Sequence, residues 1–316
     1  MDPIREMTGR AIHGMGAIMV GAGAAASGRH WAFRVLGWAA AGACLAGFLI
    51  GTAAAQSAGT IDRIKDRGEI RLAYRPDASP FSYDGDGMPA GYSVNLCLEV
   101  VEGLKKDLAL PNLNTIFVKV TAANRFLAIK DGSADLLCEA TTATLSRREL
   151  VDFSIYTFVS GAGLVIRPEG PTSVQALSGQ KIGVLGGTTT QQMLEATLHD
   201  AGVTADVVVV KTHDEGFEKL KAGETTAYFA DRTILEDHLR RVPSETGLLL
   251  ADSYLTIEPY ALAMPIDHDF RLAVDRVLSH LFRSGGLIKV FRKSFPEEAT
   301  PSDLIKMLSR VSGLPD

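Results

Sequence analysis

The hydrophobic pattern of the chain alternates between short strand-like and longer helix-like segments from residue 60 onward. Strands are predicted where apolar and polar positions alternate over about six residues, and helices where apolar positions recur every three or four residues. A first helix is predicted from Ile61 to Arg67, with Thr60 as its N-cap and Gly68 as the residue that ends it. It is followed by strands at 69–74, 115–120 and 134–138 and by helices at 93–106 and 124–130.

The same alternation returns in a second block. Its predicted strands lie at 181–185, 205–210 and 226–230, and its predicted helices at 188–201, 215–221 and 232–240. Extended segments at 153–166 and 249–264 flank this block, and helices near 270–282 and 287–295 follow. Strands that alternate with helices form mostly parallel sheets, so we expect an α/β fold with two lobes on a hinge. We predict lobe 1 at 60–159 plus 253–316 and lobe 2 at 160–252.

The segment before residue 56 has the pattern of a secretory signal. Residues 35–55 carry no charge, follow Arg29 and Arg34, and end in the small-residue run Ala53-Ala54-Ala55. This order of basic flank, apolar run and small-residue site is typical of an export signal. A retained membrane anchor is the alternative, because the run is long enough to span. The absence of a cationic flank after the run favours a signal peptide at 1–55, cleaved near Ala55, and a periplasmic protein.

Composition removes several function classes. Beyond residue 55 the chain has 28 basic and 35 acidic side chains, and this acidic balance argues against nucleic-acid binding. Outside the apolar run only Cys97 and Cys138 remain, which is too few for a disulfide scaffold or a four-thiolate zinc site. We favour buried thiols over a disulfide and leave the pairing open. We expect neither a metal nor a cofactor.

Candidate binding residues follow the predicted strands. Arg75 and Phe81 lie after the strand at 69–74, and Arg125 lies after the strand at 115–120. Ligands of open α/β sheets bind at the carboxyl ends of parallel strands. The alternative for each position is purely structural: Arg75 and Arg125 would be solvated surface residues, and Phe81 would be a core residue.

The strongest local signal is an anion site built from hydroxyls and an arginine. Thr142 and Arg147 belong to a run of hydroxyl residues at a predicted helix start, where free backbone N–H groups and the guanidinium favour an anion. A capping box from Ser146 to Glu149 is compatible with it. Thr189 lies at the corresponding junction of the second block. Neither place has a nucleotide-binding glycine motif, so two carboxylate-sized sites fit a small acid.

Three further polar residues have open roles. Asp231 ends the strand at 226–230, where it either holds an ammonium group or caps a helix. His213 is a polar loop residue or cap. Glu139 stands beside the anion site, and it either points away, pairs with Arg75 or Arg125, or acts as a general acid. No hydrolase motif of the G-x-S-x-G or H-E-x-x-H type is present.

Eight short segments carry a resemblance to a known family. They are Ile61-Asp-Arg-Ile-Lys-Asp-Arg-Gly68, Pro80-Phe-Ser-Tyr83, Gly91-Tyr-Ser93, Asn124-Arg125, Thr142-x-Thr144-x-x-Arg147, Val151-Asp-Phe-Ser154, Gly187-Thr-Thr189 and Ala227-Tyr-Phe-Ala-Asp231. From Thr60 to about Pro296 the sequence resembles the polar amino-acid-binding proteins of bacterial ABC importers. This resemblance implies a two-lobed flytrap fold and a permease partner in the inner membrane, and we expect a monomer. It assigns Arg147, Thr142 and Thr189 to the ligand's α-carboxylate, Asp231 to the α-amino group, and Phe81 to packing on the ligand.

A further set of segments narrows the resemblance: Tyr74-Arg75, Ala123-Asn124-Arg125, Glu139-x-Thr-Thr142, Phe158-Val159 and Lys211-Thr-His213-x-x-x-Phe217. Through them the chain is most similar to the glutamate/aspartate-binding branch of this family. The resemblance implies that Arg75, Arg125 and His213, three potential cations, surround the ligand's side-chain carboxylate. The sequence departs from the branch at Ala122 and Ala140, which replace hydroxyls, and at Glu139, which replaces glycine. We therefore expect an acidic amino acid or its amide as ligand, taken up by hinge closure.

An enzyme on the same fold is the alternative. An exported cyclohexadienyl (prephenate/arogenate) dehydratase would use Glu139 as proton donor near arginine-bound carboxylates. We favour the binding protein over the enzyme.

Overall fold

The structure is a computed structural model that describes residues 59–242, 246–251 and 256–315. The predicted signal peptide at 1–55 lies outside the described residues. The helices are α1 (Thr60–Arg67), α2 (Tyr92–Asp107), α3 (Arg125–Lys130), α4 (Leu145–Arg148), α5 (Thr189–Asp200), α6 (His213–Lys221), α7 (Arg232–Arg241), α8 (His268–Arg283), α9 (Gly286–Ser294) and α10 (Asp303–Val311).

The strands are short, between two and six residues each. They are β1 (Glu69–Tyr74), β2 (Asp77–Ala78), β3 (Ser82–Asp84), β4 (Pro89–Ala90), β5 (Asn114–Lys119), β6 (Leu136–Leu137), β7 (Asp152–Phe153), β8 (Phe158–Ser160), β9 (Ala162–Ile166), β10 (Lys181–Leu185), β11 (Asp206–Val210), β12 (Ala227–Asp231), β13 (Leu249–Leu250), β14 (Glu258–Tyr260) and β15 (Ala263–Met264).

Two five-stranded sheets organise the fold. The first has the order β5-β1-β6-β15-β7, in which β5, β1 and β6 are parallel and β15 is antiparallel to both of its neighbours. The second has the order β11-β10-β12-β9-β13, in which β11, β10 and β12 are parallel and β9 is antiparallel to β12 and β13. Each sheet thus combines a parallel βα unit with antiparallel strands.

The chain passes between the two sheets through β8 and β14. These strands pair antiparallel with each other, with Glu258 opposite Ser160 and Tyr260 opposite Phe158. They form the pair of crossing segments of this two-lobed α/β fold. The lobe limits at 159/160 and 252/253 stay predictions.

Apolar residues cover both faces of each sheet, as expected for parallel strands between helices. In the first sheet Leu72 faces the cluster under α2, α8 and α9, while Ala73 faces the cluster under α3. In the second sheet Val184 packs toward α5 and Leu185 toward α6. This burial explains why the central strands are rich in apolar residues.

The sequence predicted most of these elements to within two residues. The strands at 69–74 and 181–185 have the predicted limits, whereas the strand predicted at 134–138 is reduced to β6. Gly59, rather than Thr60, occupies the N-cap of α1.

The predictions missed α10 and the β2–β3–β4 sheet. The aspartate and glycine run at 84–87 is the turn between β3 and β4, where Gly85 N–H donates to the Met88 carbonyl.

The preference for buried free thiols was wrong. Cys97 of α2 and Cys138, directly after β6, form a disulfide. The bond fixes the helix to the end of the strand that leads into Glu139.

Within the described ranges, no helix is both long and apolar enough to cross a membrane.

Candidate functional site

The polar residues singled out in the sequence lie where parallel strands end. Arg75 directly follows β1, Arg125 begins α3 after β5, and Glu139 follows β6. In the second sheet, Thr189 begins α5 after β10, His213 begins α6 after β11, and Asp231 ends β12. Parallel strands bring their carboxyl ends to one edge of a sheet, so each sheet collects its three residues at one edge.

The two edges contact each other directly. A guanidinium nitrogen of Arg125 donates to the Gly187 carbonyl at 3.2 Å, and the backbone N–H of His213 donates to Asp77 at 3.1 Å. The hydroxyls of Thr142 and Thr189 lie 3.3 Å apart. Residues of both sheets therefore form one polar site between the lobes.

Four charged side chains alternate in sign at this site. Arg75 makes a bidentate pair with Asp77, in which Nε and Nη2 each donate at 3.0 Å. Arg75 Nη1 also donates to Glu139 at 3.4 Å, and Arg125 Nε lies 3.2 Å from the other Glu139 oxygen. Thr141 donates its hydroxyl to Glu139 as well. Of the roles left open for Glu139, the structure shows pairing with both arginines.

The arginine–carboxylate pairs are buried, so their charges interact more strongly than they would in water. Arg75 and Arg125 are each 2% exposed and Glu139 is 1% exposed. Burial works to lower the pKa of Arg75, but the carboxylates of Glu139 and Asp77 outweigh it and raise that pKa. Burial lowers the pKa of Arg125 to about 10, which still leaves the group charged at neutral pH. Both arginines are cations paired with carboxylates.

His213 differs from the cation that the resemblance implied. Burial, and secondly the charge of Arg75, lower the pKa of His213 to about 3. Its Nδ1 lies 2.9 Å from the Tyr228 hydroxyl. His213 is therefore neutral at physiological pH, and it contacts Asp77 through its backbone rather than through a positive charge. Its N-cap is Thr212, so His213 itself is not a cap.

The hydroxyls of Thr142 and Thr189 share a carboxylate that the sequence reasoning missed. Both donate to Oε2 of Glu258, at 2.5 and 3.0 Å, and Thr256 donates to Oε1 at 3.1 Å. Glu258 begins the crossing strand β14 and is 3% exposed. The available signal was its position as one of two charges, with Asp252, in the mostly apolar extended segment 249–264, where a buried acid requires partners.

Arg147 lies beside Thr142 in the site between the lobes. Its Nη1 donates to the Thr142 carbonyl at 2.8 Å, and its guanidinium is 5.1 Å from the centre of the Phe126 ring. Burial lowers its pKa, and the carboxylates of Glu139 and Glu258 oppose that shift. The capping box expected at 146–149 was wrong, because Thr144 is the N-cap and accepts from the Arg147 N–H at 3.2 Å.

Asp231 carries a buried oxygen with no partner. It occupies the N-cap position of α7, yet its side chain makes no capping hydrogen bond. Its Oδ1 is buried and accepts no well-formed hydrogen bond from the described residues. The Tyr260 hydroxyl nevertheless lies close enough to work against the rise in the pKa of Asp231. Burial, and secondly the charge of Glu258, raise the pKa of Asp231 to about 7. An unsatisfied buried carboxylate is destabilising unless a cation or donor reaches it.

Phe81 lies in an aromatic cluster of the first lobe. Its side chain is fully buried, and its ring makes edge contacts with Tyr92, Phe158, Tyr260 and Phe295. Phe158 and Tyr260 belong to the crossing strands β8 and β14, so the cluster packs against both strands. Contact between Phe81 and a ligand stays a prediction.

No group of three or more metal-ligating side chains occurs among the residues that the structure describes. The site instead offers three guanidiniums, two threonine hydroxyls and four carboxylates. Such groups recognise a small zwitterion through charge and hydrogen bonds.

Sequence comparisons identify relatives of this chain. The sequence profile of the bacterial extracellular solute-binding proteins, family 3, matches residues 70–297. The L-glutamate/L-aspartate-binding protein of Pseudomonas aeruginosa is 30% identical over 250 residues, which cover 78% of this chain and 83% of that protein. The glutamate/aspartate import solute-binding protein of Escherichia coli is 27% identical over 255 residues, or 79% and 84% of the two chains.

A solved structure supports the fold. The ancestral amino acid-binding protein AncCDT-1, described as a precursor of cyclohexadienyl dehydratase, superimposes with a TM-score of 0.65 at 23% identity. The superposition covers 76% of this chain and all of that one. At this identity the likeness concerns the two-lobed fold alone.

Proposed function

Because this chain belongs to the bacterial extracellular solute-binding proteins of family 3, we propose that it is the binding component of an amino-acid ABC importer. Its ligand is an acidic amino acid or the corresponding amide. The observation that carries this proposal is the unpartnered buried oxygen of Asp231, which shares the site between the lobes with the hydroxyls of Thr142 and Thr189 and with Arg147. An α-amino acid has the complementary charges.

The α-carboxylate is assigned to Arg147, Thr142 and Thr189. The two hydroxyls belong to opposite lobes and lie 3.3 Å apart, close enough for one carboxylate to accept from both. In this structure both hydroxyls donate to Glu258. Since a hydroxyl has a single proton to donate, the ligand has to replace Glu258 as the acceptor.

The α-ammonium group is assigned to Asp231. Its orphaned Oδ1 is the acceptor that an ammonium donor satisfies. The incoming positive charge also offsets the burial and the nearby Glu258 charge that raise the pKa of Asp231. Binding therefore relieves an electrostatic cost that the free protein carries.

Closure of the lobes encloses the ligand. The lobes are joined by β8 and β14, and hinge rotation about such a strand pair is a standard route from an open to a closed state. We propose that the closed, loaded form is presented to a permease in the inner membrane. The signal peptide at 1–55, the periplasmic location and the monomeric state belong to this proposal.

The dehydratase alternative is less well supported. Glu139 would have to donate a proton, yet it accepts from Thr141 and faces two guanidiniums. The carboxylate oxygens of Glu139 are therefore engaged by groups of the protein itself rather than directed at a substrate. We propose binding without catalysis.

A ligand screen tests the proposal. Thermal unfolding of the purified protein is measured with each of the twenty amino acids, and a bound ligand raises the melting temperature. We expect stabilisation by acidic amino acids or their amides. In a parallel incubation with prephenate we expect no aromatic product. Formation of that product, or an unchanged melting temperature with every amino acid, would refute the proposal.

A further inference from the structure

We propose that Glu139 makes this site select a carboxamide side chain, glutamine or asparagine, over the matching carboxylate, glutamate or aspartate. The inference rests on the proposed function and narrows its ligand. It starts from one observation: the two arginines expected to recognise an acidic side chain already share a carboxylate of the protein itself.

The charges of the side-chain subsite are balanced before any ligand arrives. Asp77, Arg75, Glu139 and Arg125 form an alternating row, with contacts of 3.0, 3.4 and 3.2 Å between successive members. Two cations face two anions. A ligand carboxylate placed among them would be a third anion in a site whose members are almost fully buried, where an unpaired charge is costly.

The guanidinium groups are also engaged as donors. Arg75 directs Nε and Nη2 to Asp77 and Nη1 to Glu139. Arg125 donates to the carbonyls of Ala122 and Gly187. An acidic ligand that formed its usual bidentate pair would have to displace one of these acceptors.

Neither of the other basic groups at the site compensates for the extra anion. His213 is uncharged, because burial and Arg75 lower its pKa to about 3. Arg147 is assigned to the α-carboxylate. The third positive charge expected from the resemblance is therefore missing from this subsite.

A carboxamide fits the same surroundings. Its oxygen accepts from guanidinium N–H groups, and its NH₂ group donates, whereas an ionised carboxylate can only accept. Glu139 places an acceptor beside the arginines, so the subsite presents donors and an acceptor side by side. Glu139 therefore discriminates between the two ligand types in two ways. It repels a ligand carboxylate, and it accepts a hydrogen bond from a ligand carboxamide.

Calorimetric titration of the purified protein with glutamine, asparagine, glutamate and aspartate tests the inference. We expect the better amide to bind about tenfold or more tightly than the better acid. In Glu139→Gln, which keeps the volume and removes the charge, the acids should gain about tenfold or more while the amides change by less than about threefold. The matched control, Glu149→Gln, alters an exposed glutamate. It should leave the ratio of amide affinity to acid affinity as in the wild type.

The results distinguish failure of the amide preference from failure of the proposed amino-acid binding. Tighter binding of an acid than of either amide by the wild type overturns the inference and leaves the proposed function standing. An unchanged amide-to-acid ratio in Glu139→Gln also overturns it. Binding of no amino acid refutes the proposed function itself. If Glu139→Gln fails to fold, Glu139→Gly removes the same carboxylate, and the wild-type ratio remains a direct test.

Discussion

The hydroxyls of Thr142 and Thr189 lie 3.3 Å apart although 47 positions separate them in the chain. Thr142 follows the first sheet's strand β6, and Thr189 begins the helix after the second sheet's strand β10. Both donate to one oxygen of Glu258, which lies on a strand connecting the lobes. A carboxylate of the protein thus contacts the hydroxyls that we assign to the α-carboxylate of the ligand.

This arrangement predicts the effect of removing the Glu258 charge. Glu258→Gln keeps a side chain of the same size but eliminates an anion that competes with the ligand's α-carboxylate. We expect amino-acid affinity to rise by about tenfold, corresponding to about 1.4 kcal/mol. Calorimetric titration measures the change, and Glu236→Gln on α7 is the control. Unchanged or weaker binding would show that Glu258 does not compete.

The raised pKa of Asp231 predicts a pH dependence of binding. Burial and Glu258 raise that pKa to about 7, so Asp231 is increasingly protonated below neutral pH. Only the ionised form pairs with an ammonium group, and affinity should therefore fall as pH drops below 7, by up to about tenfold per pH unit. Asp231→Asn should bind weakly and without this slope. A wild-type affinity that stays constant from pH 7.5 to 5.5 would contradict the assignment.

The disulfide predicts a redox-dependent stability. Cys97 and Cys138 close a loop with a separation of 41 residues, and a cross-link of that span stabilises the fold by about 4 kcal/mol in the chain-entropy estimate. We expect the Cys97→Ala/Cys138→Ala variant to unfold at a lower urea concentration, with a free energy of unfolding smaller by about 4 kcal/mol. Added reductant should lower the urea midpoint of the wild type only. Equal midpoints for both proteins would contradict it.

The positions of the candidate binding residues could largely be predicted from the sequence. Arg75, Arg125 and Asp231 each follow or end a strand of a parallel unit, and the carboxyl ends of such strands converge whatever the details of packing. The same logic placed Thr142 and Thr189 on facing edges. The central strands were recognisable because burial on both faces requires them to be rich in apolar residues.

The electrostatic state of the site was not predictable in the same way. The charge of His213 depends on complete burial beside Arg75, and the partners of Glu139 depend on side-chain directions, neither of which periodicity encodes. Glu258 was missed because its contacts come from residues 116 and 69 positions away. The disulfide likewise depends on how α2 packs against β6.

The neighbouring arginines Arg147 and Arg148 provide the most direct test of the central assignment. Arg147 donates to the Thr142 carbonyl inside the site, whereas Arg148 pairs with Asp152 near the surface. Truncation of a buried guanidinium that pairs with a carboxylate costs about 2 to 5 kcal/mol, or about 30-fold to several thousand-fold in affinity.

The decisive measurement is therefore calorimetric titration of Arg147→Ala and Arg148→Ala with the amino acid that the wild type binds best. Circular dichroism first establishes that both variants are folded. We predict that Arg148→Ala binds within about threefold of the wild type and that Arg147→Ala loses at least about 30-fold in affinity. Wild-type affinity in a folded Arg147→Ala protein would contradict the account.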